Sequence, residues 1–241
     1  MKIFYKILIR TYCNIKLFLS PFKSKIKIIK NDEMINYVIK NKLSIIRYGD
    51  GEFRIMNHRK WIHYQCFNQK LCKEMNELFY NYSCKSKYLL SVPYFFNEDI
   101  KWYKNMPYSF TACFAECRLF FRKKHIKNMV YGGAFLFRKW NMNIYEKLWE
   151  NEKELILIHN DIKRAQALEC KYKIKVKFIE IPKKNAYNEI DNIEKKIEEL
   201  NKDNSKILIS AGPMAKALIY RLSEKYTIYD TGHCFDEPLK I

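Results

Sequence analysis

Asp50 and Glu52 stand two residues apart in Ile46-Arg47-Tyr48-Gly49-Asp50-Gly51-Glu52-Phe53, where a short apolar run meets two glycines and two carboxylates. Such a stretch is poor for packing and good for holding a hydrated cation. Leu43, Ile45 and Ile46 read as a buried strand, which Gly49 and Gly51 break by allowing backbone angles denied to other residues. Acids placed on a loop at a strand's C-terminal end suit Mg²⁺ or Mn²⁺, which bind one or two protein carboxylates and complete their shell with water and substrate phosphates. A diphosphate-bearing substrate is the natural third component. The same residues could equally form a solvated Asp-Gly turn in which Glu52 caps the next helix.

Ile207 to Lys216 is the second informative stretch, a strand that feeds a helix through Gly212. Pro213 suits the first helical turn, where its missing N–H costs nothing. Free N–H groups and the positive end of the helix make an anion site there, with Ser210 and Lys216 in reach of a nucleotide diphosphate. Neither G-x-G-x-x-G nor a Walker pattern is present, so a plain tight turn accounts for the stretch as well. The third stretch, Asp230-Thr231-Gly232-His233-Cys234-Phe235-Asp236-Glu237, is dense in groups that donate, accept or ligate. His233 could touch a phosphate or exchange a proton, and Asp236 or Glu237 could deprotonate an acceptor hydroxyl.

The elements that must position these groups alternate between strand and helix. A helix capped by Asn31 or Asp32 is expected to about Lys40, then the Asp50 strand, a helix over Gln69 to Tyr80 and a strand over Tyr88 to Val92. Residues 100–125 look helical. Short β-rich runs follow at Asn128–Tyr131, Ala134–Phe137, Leu155–Ile158, Val176–Ile181, Lys206–Ser210 and Thr227–Tyr229, with helices near 144–150, 162–171, 188–201 and 213–225. Ile190, Ile193, Ile197 and Leu200 make the clearest amphipathic stripe. This rhythm means an α/β fold, Rossmann-like, with an open and largely parallel sheet flanked by helices and its ligands at the C-terminal strand ends.

With 48% hydrophobic residues among 241, the chain can bury a real core. A formal charge of +19 attracts anions such as nucleotides, phospholipids and nucleic acids. The eight cysteines contain no C-x-x-C pair and read as reduced thiols, with Cys113 and Cys117 sharing a helix face. Residues 1–30 form a separate segment with eight positive charges and no acid, ahead of a domain over 31–241. Lys2, Lys6 and Arg10 would stripe one face of a helix and Ile3, Phe4, Ile7 and Leu8 another. That segment is neither a signal peptide nor a membrane span; it lies on an anionic membrane surface or packs on the domain.

Taken in order, Arg47-Tyr48-Gly49-Asp50-Gly51-Glu52, Tyr131-Gly132-Gly133-Ala134-Phe135 with Arg138, Pro182-Lys183-Lys184-Asn185-Ala186-Tyr187, Gly212-Pro213-Met214-Ala215 and Asp230-Thr231-Gly232-His233 resemble the GT-D-type glycosyltransferases, a bacterial family first described as a domain of unknown function. The likeness runs over about residues 31–237 and loosens at Met214 and after Gly232-His233. It implies a Rossmann-like hexosyltransferase that uses a nucleotide sugar, typically a UDP-hexose, and Mn²⁺ or Mg²⁺ held by Asp50 and Glu52. Its Gly-Pro turn falls on Gly212 and Pro213 and its Gly-His element on Gly232 and His233, of which Gly212, Pro213 and His233 are expected donor contacts. Arg47 and Arg138 are expected partners of phosphate or of a motif acid, Gly49 and Gly51 neighbours of the donor, and Asp236 the base. The expected acceptor is a cell-surface glycan or lipid-linked glycan, met in the cytoplasm or at the inner membrane face, with no nucleic acid. The competing readings are a noncatalytic anion-binding module and a nucleotide-sugar phosphohydrolase.

Overall fold

The apolar runs become strands because their side chains alternate between two covered faces. The computed structural model describes residues 27–93, 108–123, 129–138 and 141–235, with scattered positions between 7 and 19. Its strands are β1 (Lys27–Ile28), β2 (Ser44–Arg47), β3 (Tyr88–Val92), β4 (Val130–Gly133), β5 (Glu154–His159), β6 (Lys175–Glu180), β7 (Lys206–Ile209) and β8 (Ile228–Asp230). They form one eight-stranded sheet in the order β1-β4-β3-β2-β8-β7-β5-β6. Every pairing between them is parallel. The sheet thus reaches back to Lys27 and Ile28, inside the basic leader.

The helices are α1 (Asn31–Asn41), α2 (Asp50–His58), α3 (Gln69–Asn81), α4 (Tyr108–Lys123), α5 (Met142–Tyr145), α6 (Lys163–Tyr172), α7 (Ile190–Leu200) and α8 (Pro213–Leu222). Ile46, Ile156, Ile158, Ile207, Ile209 and Ile228 pack into the core beneath α2, α3, α7 and α8. Ile45, Leu155, Leu157, Leu208 and Tyr229, their immediate neighbours in sequence, pack on the opposite side with Met34, Val38, Trp149 and Leu168. At about 1.5–3 kcal/mol for each fully buried aliphatic side chain, this two-faced burial is the main force holding the strand ends in place.

Several expectations shift. Ala134–Phe137 is a turn rather than a strand, because Asn141 Nδ2 donates to Phe135 O at 3.0 Å and the chain leaves the sheet after Gly133. Neither Asn31 nor Asp32 caps α1, whose preceding residue is Lys30 with no side-chain cap bond. Helical structure near 144–150 is a short α5 followed by a 3₁₀ turn over Glu146–Leu148. Leu200 is 36% exposed, so the buried stripe of α7 is Ile190, Ile193 and Ile197. None of the described cysteines is in a disulfide, and Cys113 and Cys117 are buried on α4.

Candidate active site

Asp50 and Glu52 do not lie on an open loop: they occupy the first turn of α2. Gly49 is the residue before the helix, and its N–H donates to Glu52 Oε2 at 2.8 Å, the one half of a capping box that a residue without a side chain allows. The helix begins there because β2 ends at Arg47 and Gly49 turns the chain. Asp50 stands half-buried at the positive end of α2, while Glu52 is buried beneath it.

Three parallel strand ends are fastened together under this turn. Lys216 sits on the first turn of α8, and its Nζ donates to Glu52 Oε1 at 2.9 Å, to Asp230 Oδ2 at 2.8 Å and to Gly212 O at 3.0 Å. All three ammonium hydrogens therefore have acceptors, and only 3% of the residue is exposed. Arg47 adds a second clamp: its Nε donates to Asp230 O at 2.8 Å and its Nη1 to Ala134 O at 2.9 Å. Gly232, at φ +52°, exists for this clamp, since a Cβ there would lie 1.6 Å from Arg47 Nη2.

The start of α8 is bare by comparison. Gly212 precedes it at φ 55° and ψ −135°, Pro213 is its first residue and no side chain caps it. The ring of Tyr64 lies over Gly212, where a Cβ would come within 2.6 Å. Tyr64 belongs to a tight turn closed by the Ile62–Gln65 bridge, held down where Asn185 N–H donates to Tyr64 O at 2.9 Å and Asn185 Oδ1 accepts from Cys66 N–H at 2.7 Å. Ser210 Oγ pairs with Thr231 Oγ1 at 2.9 Å, and His233 faces Tyr64 edge-on with ring centroids 6.4 Å apart.

These pieces enclose a cleft of about 400 Å³ at the C-terminal edge of the sheet, a size suited to a small organic ligand. Arg47, Gly49, Asp50, Gly51, Glu52, Arg138, Ser210, Gly212, Lys216 and His233, each singled out in the sequence, all line it. Pro213 is buried at the helix start instead of lining the cleft, and Asp236 lies outside the described residues. Also lining the cleft are His63, Tyr64, His159, Asn160 and Lys183, which sequence reasoning left without a role. His159 ends β5 and Asn160 follows it directly, so the rule that ligands meet C-terminal strand ends could have found them. His63 and Tyr64 carry no comparable signal, because long-range bonds to Asn185 place their turn.

Charge divides the two motif acids. Burial raises the Asp50 carboxyl above its usual range, and the negative charge of Glu52 raises it further. Burial would raise Glu52 too, yet the Lys216 ammonium and the Gly49 N–H outweigh it and hold that carboxyl low. Burial would lower Lys216, but Asp230 and Glu52 together raise it. Among the described residues, no three or more His, Cys, Asp or Glu side chains converge as a metal cage. Mg²⁺ or Mn²⁺ fits the Asp50 side on the chemistry of its donor, because one carboxylate with phosphate oxygens and water is an ordinary shell for these ions. Both Glu52 oxygens, in contrast, are engaged by Lys216 and Gly49.

An open parallel sheet with a cleft at its C-terminal strand ends places the protein in the α/β architectural class, in which ligands lie at that position. The chain belongs to the family of the glycosyltransferase GT-D fold, whose model matches residues 45–237. It is similar to the probable glycosyl transferase Gly of Streptococcus gordonii, 24% identical over 239 residues that span 90% of this chain and 33% of that protein. Glycosyltransferase GlyD of Streptococcus pneumoniae is 23% identical over 220 residues, 86% of this chain and 26% of that one. The chain thus spans about a third or less of the length of these curated relatives. Among solved structures, it is similar to a domain of unknown function 1792 described as having a distinct glycosyltransferase fold, with TM-score 0.74, 24% identity and coverage of 94% of this chain and 83% of the other. A glycosyltransferase of the same domain type from Streptococcus sanguinis gives TM-score 0.71 and 24% identity over 88% of this chain and 82% of that one. At such identity these structural likenesses carry the fold.

Proposed function

We propose that the chain transfers a hexose from a nucleotide-sugar donor, a UDP-sugar, to a cell-surface glycan or lipid-linked glycan. The observation that carries this reading is the pairing, in one cleft, of the Asp50 carboxylate with the uncapped start of α8, the two chemistries that a cation-bound diphosphate requires. The family supports the reaction class. The α8 turn and Ser210 receive the diphosphate, with Gly212 letting backbone approach closely. Arg138 and Lys183 supply positive charge around it, and His63, His159 and His233 bring ring nitrogens that can exchange hydrogen bonds with it. Mn²⁺ or Mg²⁺ at Asp50 would act as a Lewis acid on the charge that develops on the leaving UDP. Asp236 remains the proposed base toward the acceptor hydroxyl.

The leader supports a lipid-linked acceptor reached from the cytoplasmic face of a membrane. Its described apolar side chains Ile7, Leu8, Tyr12, Ile15, Phe18 and Leu19 are each more than half exposed, beside a run of lysines and arginine. No helix among the described residues is long and apolar enough to cross a membrane, and an interfacial helix needs no such length of apolar residues. Binding to phosphatidylglycerol vesicles in preference to phosphatidylcholine checks this reading, and equal binding to both removes it.

The decisive experiment is a thermal-shift panel of nucleotides and nucleotide sugars with and without Mn²⁺, followed by product analysis. Saturation at a hundred times Kd adds about 2.7 kcal/mol, roughly 5–10 °C for a domain of this size. A UDP-specific, cation-dependent rise with release of UDP is expected. Sugar phosphate and UMP as products would make the protein a phosphohydrolase, and binding that ignores UDP but collapses with salt would make it an anion-binding module.

A further inference from the structure

We infer that Lys216 is a positioning residue through which Glu52 acts, so that of the two motif acids Asp50 alone faces the cation of a bound nucleotide. This deepens the proposed donor site and rests on it. Lys216 has spent its three hydrogens on Glu52, Asp230 and Gly212. Its partners are as fully engaged: Glu52 Oε2 accepts from Gly49 N–H at 2.8 Å, and Asp230 also accepts from Arg47 N–H and Gly232 N–H, each at 3.2 Å. All three residues are at most 5% exposed.

A cation drawing on Glu52 would have to displace an ammonium 2.9 Å away and strand it in the interior with one carboxylate. The ammonium would then lose one of its two buried ion pairs and stand close to a divalent cation, a repulsion that the weakly screening interior magnifies. Asp50 has no such engagement: no salt bridge to it is found among the described residues, and it stands half-buried on the cleft wall. The unit joins the start of α2, the start of α8 and the end of β8, the three places whose relative spacing sets where a diphosphate can lie between carboxylate and helix start.

The test uses the full chain, with UDP and Mn²⁺ as probes in titration calorimetry and with melting temperature as a second readout. Asp50→Asn is expected to abolish the gain in UDP affinity that Mn²⁺ brings, whereas Glu52→Gln keeps that gain within about threefold. Lys216→Met is expected to weaken cation-free UDP binding by about tenfold, and Lys216→Arg, which keeps the charge, to restore part of it. Lys216→Met should also lower the melting temperature by roughly 6–15 °C, and adding Glu52→Gln should recover some of that loss instead of deepening it. If Glu52→Gln alone does not fold, the double variant carries the Mn²⁺ comparison.

Loss of the Mn²⁺ gain in Glu52→Gln as complete as in Asp50→Asn, at unchanged melting temperature, would overturn the inference, as would strictly additive melting effects or unaltered UDP binding in Lys216→Met. Should the unsubstituted chain bind no UDP at all, the donor reading fails, while the melting cycle still decides whether Lys216 and Glu52 act as one unit.

Discussion

The starts of α2 and α8 lie side by side in one cleft and are built on opposite principles. Helix α2 opens with two acids, one of which accepts the Gly49 N–H as a cap. Helix α8 opens with Gly212 and Pro213, has no side-chain cap and contributes a lysine that turns inward. A helix start filled with its own carboxylates has little appetite for a phosphate, whereas an uncapped one has donors to offer. The difference shows how two copies of the same secondary-structure feature can divide a bound diphosphate into a cation side and an anion side, with the Glu52–Lys216 pair holding the two starts together.

The sharpest way to break this comparison is Asp50→Asn. Removing the accessible charge at the start of α2 is expected to lower sugar transfer by about 10²–10³-fold in a UDP-release assay with Mn²⁺. The same change should leave the ligand-free protein slightly more stable, by about 1–3 °C, because it removes a charge that burial penalises. A drop in melting temperature would show that Asp50 also holds the fold.

Next comes Gly212→Ala, which forces a side chain into a left-handed conformation and against the Tyr64 ring. A cost of about 1–3 kcal/mol is expected in denaturant unfolding, with weaker UDP binding. Gly49→Ala is the matching change at α2. There the backbone is extended, at φ −114°, and a Cβ would meet only Glu52 Oε2 at 3.2 Å. An effect of at most about 1 kcal/mol is expected, so comparable losses at both glycines would remove the contrast between the two starts.

The subtlest prediction concerns pH. Glu52 is held below the ordinary carboxylate pKa, so the stability it contributes is present above its unfolded pKa and lost as pH falls through its folded one. Lys216 is raised, so its contribution is complete below its unfolded pKa and lost as pH rises through the folded one. Asp50 runs the other way: its folded pKa is raised, so its charge costs stability above that range and the cost lifts on acidification. Melting temperature against pH should therefore fall less steeply on the acid side for Glu52→Gln than for the unsubstituted chain, and more steeply for Asp50→Asn.

Much of the frame was legible in the sequence. Runs such as Leu155–Ile158 and Ile207–Ile209 announce strands covered on both faces, and the Gly212-Pro213 pair announces a helix start. Ala134–Phe137 misled because an apolar run of four residues is compatible with a strand, and only the Asn141 bond to Phe135 O decides for a turn. Within the candidate site, Asp50, Gly212 and His233 were visible by type and spacing. The turn at His63 and Tyr64 was not, since its place depends on Asn185, far along the chain.

By itself the sequence determined the alternation of strand and helix, the ends at which polar groups collect and the acids available to a cation, because these follow from side-chain period, glycine and proline chemistry and charge. Only the tertiary structure decided which acid is accessible. Asp50 and Glu52 stand two residues apart in one helical turn, but Lys216 comes from a helix more than 150 residues later and takes Glu52 into the interior. Partnership of that kind is set by which strand ends lie next to each other in the sheet, and no local pattern around Glu52 encodes it.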